Sequence, residues 1–262
     1  MGGMKWMRRT IKAGQVREKY RFLVPVKARP RGRRVGHCSP RAQDANEHTA
    51  EKRVARLLNC NFVHRDAMLG LEYDEMHHTA LLEEAGGDLM RARELALRDV
   101  DRFIERVRYH AKKAGLRLDR YFCVVSNMDG DTGEYVRDHA HLIVKAGLVR
   151  MENGRLYVGE KDLEALWGRG AINLTQLHNQ PDLTPLAMYL LRQVQRIPDK
   201  AKYKAARGME QPEIIDEEID SGNRSLRVPK GAKISAMHVD QDGSQYVRYV
   251  VPAKSAKEVK RE

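Results

Sequence analysis

Leu89, Ala92, Ala96, Phe103, Val107 and Ala111 recur at three- and four-residue steps between Asp88 and Lys113, which predicts a long helix with one apolar face. A stripe of that length needs a broad apolar partner. The flanking sequence supplies short apolar runs of strand length: Ala67 to Tyr73 (AMLGLEY), Tyr121 to Ser126 (YFCVVS) and His139 to Val144 (HAHLIV), with the alternating Ala171 to Leu177 (AINLTQL) as a fourth. Gly115 ends the long helix as a C-cap. Asp129-Gly130 and Thr132-Gly133 are turn residues, so the second and third strands pair as a hairpin.

Asp162 to Trp167 reads as a short helix. Thr184, with Pro185 at N1, caps another that runs to about Arg196. The order is strand, long helix, two strands, short helix, strand, helix. It implies an α+β chain with a ferredoxin/RRM-like antiparallel sheet and helices packed on one face. Residues 61–200 form this domain. Residues 1–60 read as a basic N-terminal arm and a lead-in helix starting near Ser39 and Pro40. Residues 201–262 read as a basic segment, an acidic stretch from Glu213 to Asp220, and a C-terminal hairpin turning at Asp242-Gly243.

The formal net charge is +12, with a pI near 9.7, which points to a polyanionic partner. Arg31, Arg33 and Arg34 lie in the run KARPRGRRVGHCSPR, which cannot bury a core and reads as an arm that tracks phosphates, or as a solubilising tail. Lys200, Lys202, Lys204 and Arg207 are further phosphate contacts, or else a solvated basic face. Cys38, Cys60 and Cys123 lack CxxC spacing and read as free thiols of a reducing compartment. No stretch approaches the ~20 apolar residues of a membrane helix, and no apolar signal core follows the basic N-terminus. The expected location is the cytoplasm, with no membrane partner.

His139 and His141 lie two apart on a predicted strand, so both imidazoles face the same way and can grip one divalent ion. Tyr189 and Arg192 are one helical turn apart, so phenol and guanidinium can meet one phosphate. Each feature alone has a plainer reading: a chance histidine pair, and a tyrosine that packs. His77-His78 reads as part of a polar loop rather than an extension of a metal site. Asp129-Gly130-Asp131 reads as a hairpin turn rather than a calcium loop.

Taken together in this order, HAHLIV and YLLR (Tyr189 to Arg192) resemble the second and third motifs of rolling-circle replication initiators of plasmids and single-stranded DNA phages, members of the HUH endonuclease superfamily. AMLGLEYDE is a weaker counterpart of their first motif. The lead-in SPRAQDANEHTAEKRVARLLNCNF and the segment KYKAARGMEQPEI are also similar to stretches in such proteins. The resemblance implies a nickase and ligase for single-stranded or hairpin origin DNA, working through a covalent 5′-phosphotyrosine and leaving a primer for a host polymerase, with a host helicase to unwind. It implies Mg²⁺ or Mn²⁺ as cofactor, His139 and His141 as metal ligands, and Tyr189 as nucleophile. Arg192 stands where the family more often has Lys. It keeps the permanent cation, but puts a proton-shuttle role in doubt. The third ligand in many relatives is Glu on the preceding strand, near Asn127 here. Asn127 is favoured slightly over Glu72, with a turn residue as the alternative for Asn127 and Asp74 as a further candidate ligand. Tyr203 falls outside the tyrosine helix and reads as a backbone contact or a packing residue.

Two other readings stand beside this one. A binding module that retains the fold without catalysis is kept open by Arg192 and Asn127. A transposase would share the chemistry, whereas most relaxases have their tyrosine ahead of a three-histidine cluster. No GxxxxGK[ST] is present, so an attached helicase is not expected.

Overall fold

The computed structural model describes residues 3–26, 40–113, 115–146, 150–152, 155–158, 161–194, 202–220, 222 and 225–252, without side chains for 40–46 and 150–162. Arg31, Arg33, Arg34, Cys38 and Lys200 therefore lie outside the described residues, as does the N-cap expected at Ser39. The chain is α+β, with two five-stranded antiparallel sheets, a small three-stranded sheet and five helices among the described residues. It divides into two units: residues 61–209, and residues 1–60 together with 210–262.

The expected domain runs from β3 (Ala67–Glu72) through α2 (Glu75–Glu84), α3 (Leu89–Lys113), β4 (Tyr121–Met128) and β5 (Tyr135–Val144). Then come β6 (Arg150–Glu152), β7 (Arg155–Val158), β8 (Lys161–Asp162), α4 (Leu163–Trp167), β9 (Ile172–Gln176), α5 (Thr184–Arg192) and β10 (Lys204–Ala205). Its main sheet has the order β10-β4-β5-β3-β9, and every neighbouring pair is antiparallel. The buried stretches Phe122 to Val125 of β4 and Leu142 to Val144 of β5 are continuous apolar runs.

On one face, Leu69, Leu71, Val125, Ala140 and Leu142 meet the α3 stripe, including Ala96, Phe103 and Val107. Asp88 starts α3, its Oδ1 accepting from the amides of Met90 and Arg91 at 2.8 and 3.2 Å. Gly115, at φ +71°, ends it in the left-handed conformation. Trp167 of α4 is fully buried, edge-on to Tyr73 and Phe103, and its indole N–H donates to the Glu72 carbonyl at 2.9 Å. Trp167→Phe leaves that buried acceptor without its donor and is expected to cost about 2 kcal/mol. The check is a lowered urea midpoint at unchanged slope.

The sheet is covered on both faces rather than one. α2, α3 and α4 share the core just described, while α5 sits on the opposite face, where His141 and Tyr189 meet. Two helix details also depart from expectation. His77 and His78 are on a helix, α2, because Asp74 caps it by accepting from the His77 amide at 2.8 Å. His78 is buried 3.6 Å from Asp138, and Asp138 points to the α3 side of the sheet, away from His139. α5 has Leu183, not Thr184, at its N-cap. The Thr184 hydroxyl donates instead to Asp182 at 2.6 Å.

The flanking segments, expected as two separate appendages, cluster into one unit. β1 (Met4–Ala13) and β2 (Val16–Pro25) form a hairpin, joined by β11 (Glu213–Ile219), β12 (Lys233–Val239) and β13 (Gln245–Val250) in the order β11-β1-β2-β13-β12. The acidic stretch becomes a strand because its carboxylates face the cations of β1. Lys5, Arg8 and Arg9 pair with Glu218, Glu217 and Asp216 at 2.7 Å, and Lys12 pairs with Glu213 at 3.2 Å. Much of the positive charge near the N-terminus is thus matched within this unit. α1 (Pro40–Asn61) contributes Val54 and Leu58 to its core and places Arg56 bidentate on Glu18, both bonds at 2.7 Å.

Candidate active site

β5 is the middle strand of its sheet, held by β4 and β3, so its side chains are fixed from both sides. His139 and His141 project from the face opposite Ala140 and Leu142, with ring centroids 5.0 Å apart and planes at 87°. Gly70 stands opposite His141 on β3, and by having no side chain it leaves that face open beside the ring. α5 lies over this surface. The Tyr189 ring is 6.2 Å from the His141 ring, and the tyrosine is 52% exposed. A cavity of about 440 Å³ adjoins it, lined by Tyr189, Arg192, Gln193 and the β4–β5 turn at Asp129, Gly130 and Asp131. The turn itself is closed by Asp129, whose carboxylate accepts from the amides of Asp131 and Thr132 at 2.9 and 2.8 Å.

Hydrogen bonds orient both rings. His139 Nδ1 is 2.9 Å from the Arg137 carbonyl, which can only accept, so Nδ1 is the donor and Nε2 is the nitrogen turned away from it. His141 Nε2 is 3.2 Å from Gln193 Oε1, and its buried Nδ1 has no hydrogen-bond partner among the described residues. Burial, then the nearby His139, pushes the His141 pKa down to about 4, so the ring is neutral near pH 7. An unfolded histidine binds its proton near 6.5. Stability is therefore expected to be full above that pH and to fall as pH drops from 6.5 toward 4. Thermal melts across this window should show a smaller loss for His141→Asn than for the parent chain.

Among the described residues, no three His, Cys, Asp or Glu side chains gather into one group. A metal held here would draw on the two imidazoles and on donors of another kind. Glu72 stands directly opposite His139 across β3 and β5, with Oε1 accepting from Asn173 Nδ2 at 2.5 Å. Asn127 falls at a register irregularity, and it is Ser126 that opposes His139 from β4. Ser126 Oγ is buried and, like His141 Nδ1, has no hydrogen-bond partner among the described residues. Two such polar atoms on the histidine face, beside the two imidazoles, fit a divalent cation with water in its shell.

Sequence reasoning missed Gln193. It lies four residues after Tyr189, hence on the same helical face, and that spacing was the available signal. Its side chain reaches His141, and its carbonyl accepts from the amides of Asn127 and Met128, both at 3.1 Å. This tether fixes the end of α5 to the end of β4.

The basic residues after α5 divide. Lys204 is on β10 and paired with Asp101. Tyr203 stacks on the buried Phe122 with centroids 5.2 Å apart, which makes it a packing residue. Arg207 is exposed. The buried Cys123 thiol is pushed up to about 12 by desolvation and is unreactive. No helix among the described residues is long and apolar enough to cross a membrane. No protein family, curated protein or solved structure matches the chain in sequence or fold comparisons.

Proposed function

We propose that the chain is an HUH-type endonuclease that nicks and rejoins single-stranded DNA at an origin, initiating rolling-circle replication. The observation that carries this reading is the placement of an accessible Tyr189 6.2 Å, ring to ring, from His141, beside His139 on one sheet face. The strand order β9-β3-β5-β4 supports the ferredoxin/RRM-like arrangement that this chemistry implies. His139 and His141 would hold the Mg²⁺ or Mn²⁺ ion, with Gln193 orienting the His141 ring through its Nε2. When bound, the ion supplies Lewis-acid polarisation of the scissile phosphate.

The rest falls to side chains. Tyr189 oxygen attacks phosphorus, its proton passing to solvent, and the new phosphotyrosine bond replaces the bond to the 3′-oxygen, which leaves as a hydroxyl. Arg192, one turn away and permanently charged, neutralises the phosphate. The Gln193 tether keeps the phenol over the histidines. The phosphodiester energy is retained in the protein link, so a 3′-hydroxyl can reverse the reaction.

The test uses a randomised, end-labelled single-stranded DNA library with Mn²⁺. Label should move into a denaturant-resistant protein band, and EDTA should abolish this while leaving binding intact. A second reading, a DNA-binding protein with weakened catalysis, is favoured by the engagement of Glu72 with Asn173, which occupies the carboxylate opposite His139. That protein would bind the library without any shift of label.

A further inference from the structure

α3 carries a second chemical surface that the nicking site does not use. Arg102, Arg106 and Tyr109 follow one another at four- and three-residue steps, so they lie along one helical stripe. With Arg169, just after α4, and Trp167 at its base, they line an open cavity of about 600 Å³. Arg102 and Arg169 share one buried carboxylate, Asp99, at 3.6 and 3.4 Å. Arg106 donates to its own helix, to the Arg102 carbonyl at 3.3 Å, and so keeps a guanidinium fork for an external anion. Glu105 is an acidic member of the lining, and the Lys113 ammonium lies over the Tyr109 ring, 4.5 Å from its centroid. Tyr109 itself is 56% exposed, with the His110 ring 5.3 Å away at 86°, and much of the phenol is turned to solvent.

We infer that this cavity is a second single-stranded DNA contact, with the sugar–phosphate backbone on the guanidiniums of Arg106 and Arg169 and an unstacked base on Tyr109. Guanidinium forks match phosphate oxygens, and an exposed ring beside them suits a base whose face is free, which a duplex does not offer. Because α3 covers the sheet face away from His139 and His141, the nucleotides held here are not those at the scissile bond. The cavity anchors DNA independently of cleavage. The inference rests on the DNA-binding part of the proposed function and not on its chemistry.

The experiment measures anisotropy of a fluorescein-labelled oligo-dT strand with the full chain, without divalent metal, across a salt series. Arg106→Ala/Tyr109→Ala is expected to weaken binding about tenfold, and to flatten the plot of log K against log salt by about 0.7, because one phosphate is no longer neutralised. Tyr109→Phe keeps the ring and should bind like the parent. Arg108→Ala/Lys112→Ala, which removes more charge from exposed positions of the same helix, should change affinity by less than about twofold. Circular dichroism melts confirm that each variant is folded. Parent-like affinity in the first variant overturns the inference. So does an equal loss in the Arg108/Lys112 control, or a loss in Tyr109→Phe matching that of the Arg106/Tyr109 double variant. A chain that binds through this cavity yet never nicks would sink the catalytic reading alone. A chain that nicks but ignores these substitutions would sink the cavity alone.

Discussion

Tyr189→Phe is expected to slow formation of the covalent protein–DNA adduct by at least about a thousandfold, the scale on which removal of an enzymic nucleophile is felt. The substitution keeps the ring that lies 6.2 Å from His141 and removes one hydroxyl from a side chain 52% exposed. The stability cost should stay below about 0.5 kcal/mol, as for surface changes that break no network. Oligonucleotide affinity should be unchanged within about twofold, because no phosphate-binding cation is touched. Single-turnover label transfer and anisotropy, measured on the same preparations, separate the two effects. A Phe variant that still forms the adduct would mean that another residue is the nucleophile.

The second large effect is expected at the histidines. His141→Ala removes a neutral ring nitrogen that no described protein group uses, together with the hydrogen bond to Gln193. Nicking should fall by more than about a hundredfold, exceeding the range typical of losing a supporting group around a metal. Gln193→Ala should lie within that range, about tenfold to a hundredfold. Gln193→Glu places a charged acceptor on His141 Nε2, makes the ring a stronger ligand through its other nitrogen, and should tighten Mn²⁺ binding measured by titration calorimetry. Glu72→Gln should change Mn²⁺ affinity little, because that carboxylate is already held by Asn173. If Glu72→Gln weakened metal binding and Gln193→Ala did not, the third donor would be Glu72.

The central sheet is legible in the sequence because its strands are short apolar runs and α3 has a long periodic stripe, both local signals. The HAH strand and the tyrosine helix are each visible in the same way. Their meeting is not, since spacing along the chain does not say which face of a sheet a later helix covers. α5 crosses to the histidine face because a long helix, α3, already occupies the other. The strands of the flanking unit are hidden by their charge. MKWMRRTIKA and EIIDEEI resemble solvated segments when read separately, and become strands only when the cations of one meet the carboxylates of the other, some 200 residues away. α2 escapes notice because its cap, Asp74, follows the first strand so closely that the segment resembles a loop. Gln193 does so because an amide in a helix carries no signal until its partner is known.

The most direct test of a tyrosine nucleophile over two histidines is the position of the covalent link. The adduct formed with single-stranded DNA is digested with nuclease and trypsin, and the peptides are weighed. Tyr189 falls on the tryptic peptide from Gly170 to Arg192, whereas Tyr203 is released with Lys204 alone. A nucleotide 5′-phosphate is predicted on the Gly170–Arg192 peptide, present with Mn²⁺ and missing after His141→Ala. A nucleotide on the Tyr203 fragment, or a Tyr189 adduct indifferent to both histidines, would contradict it.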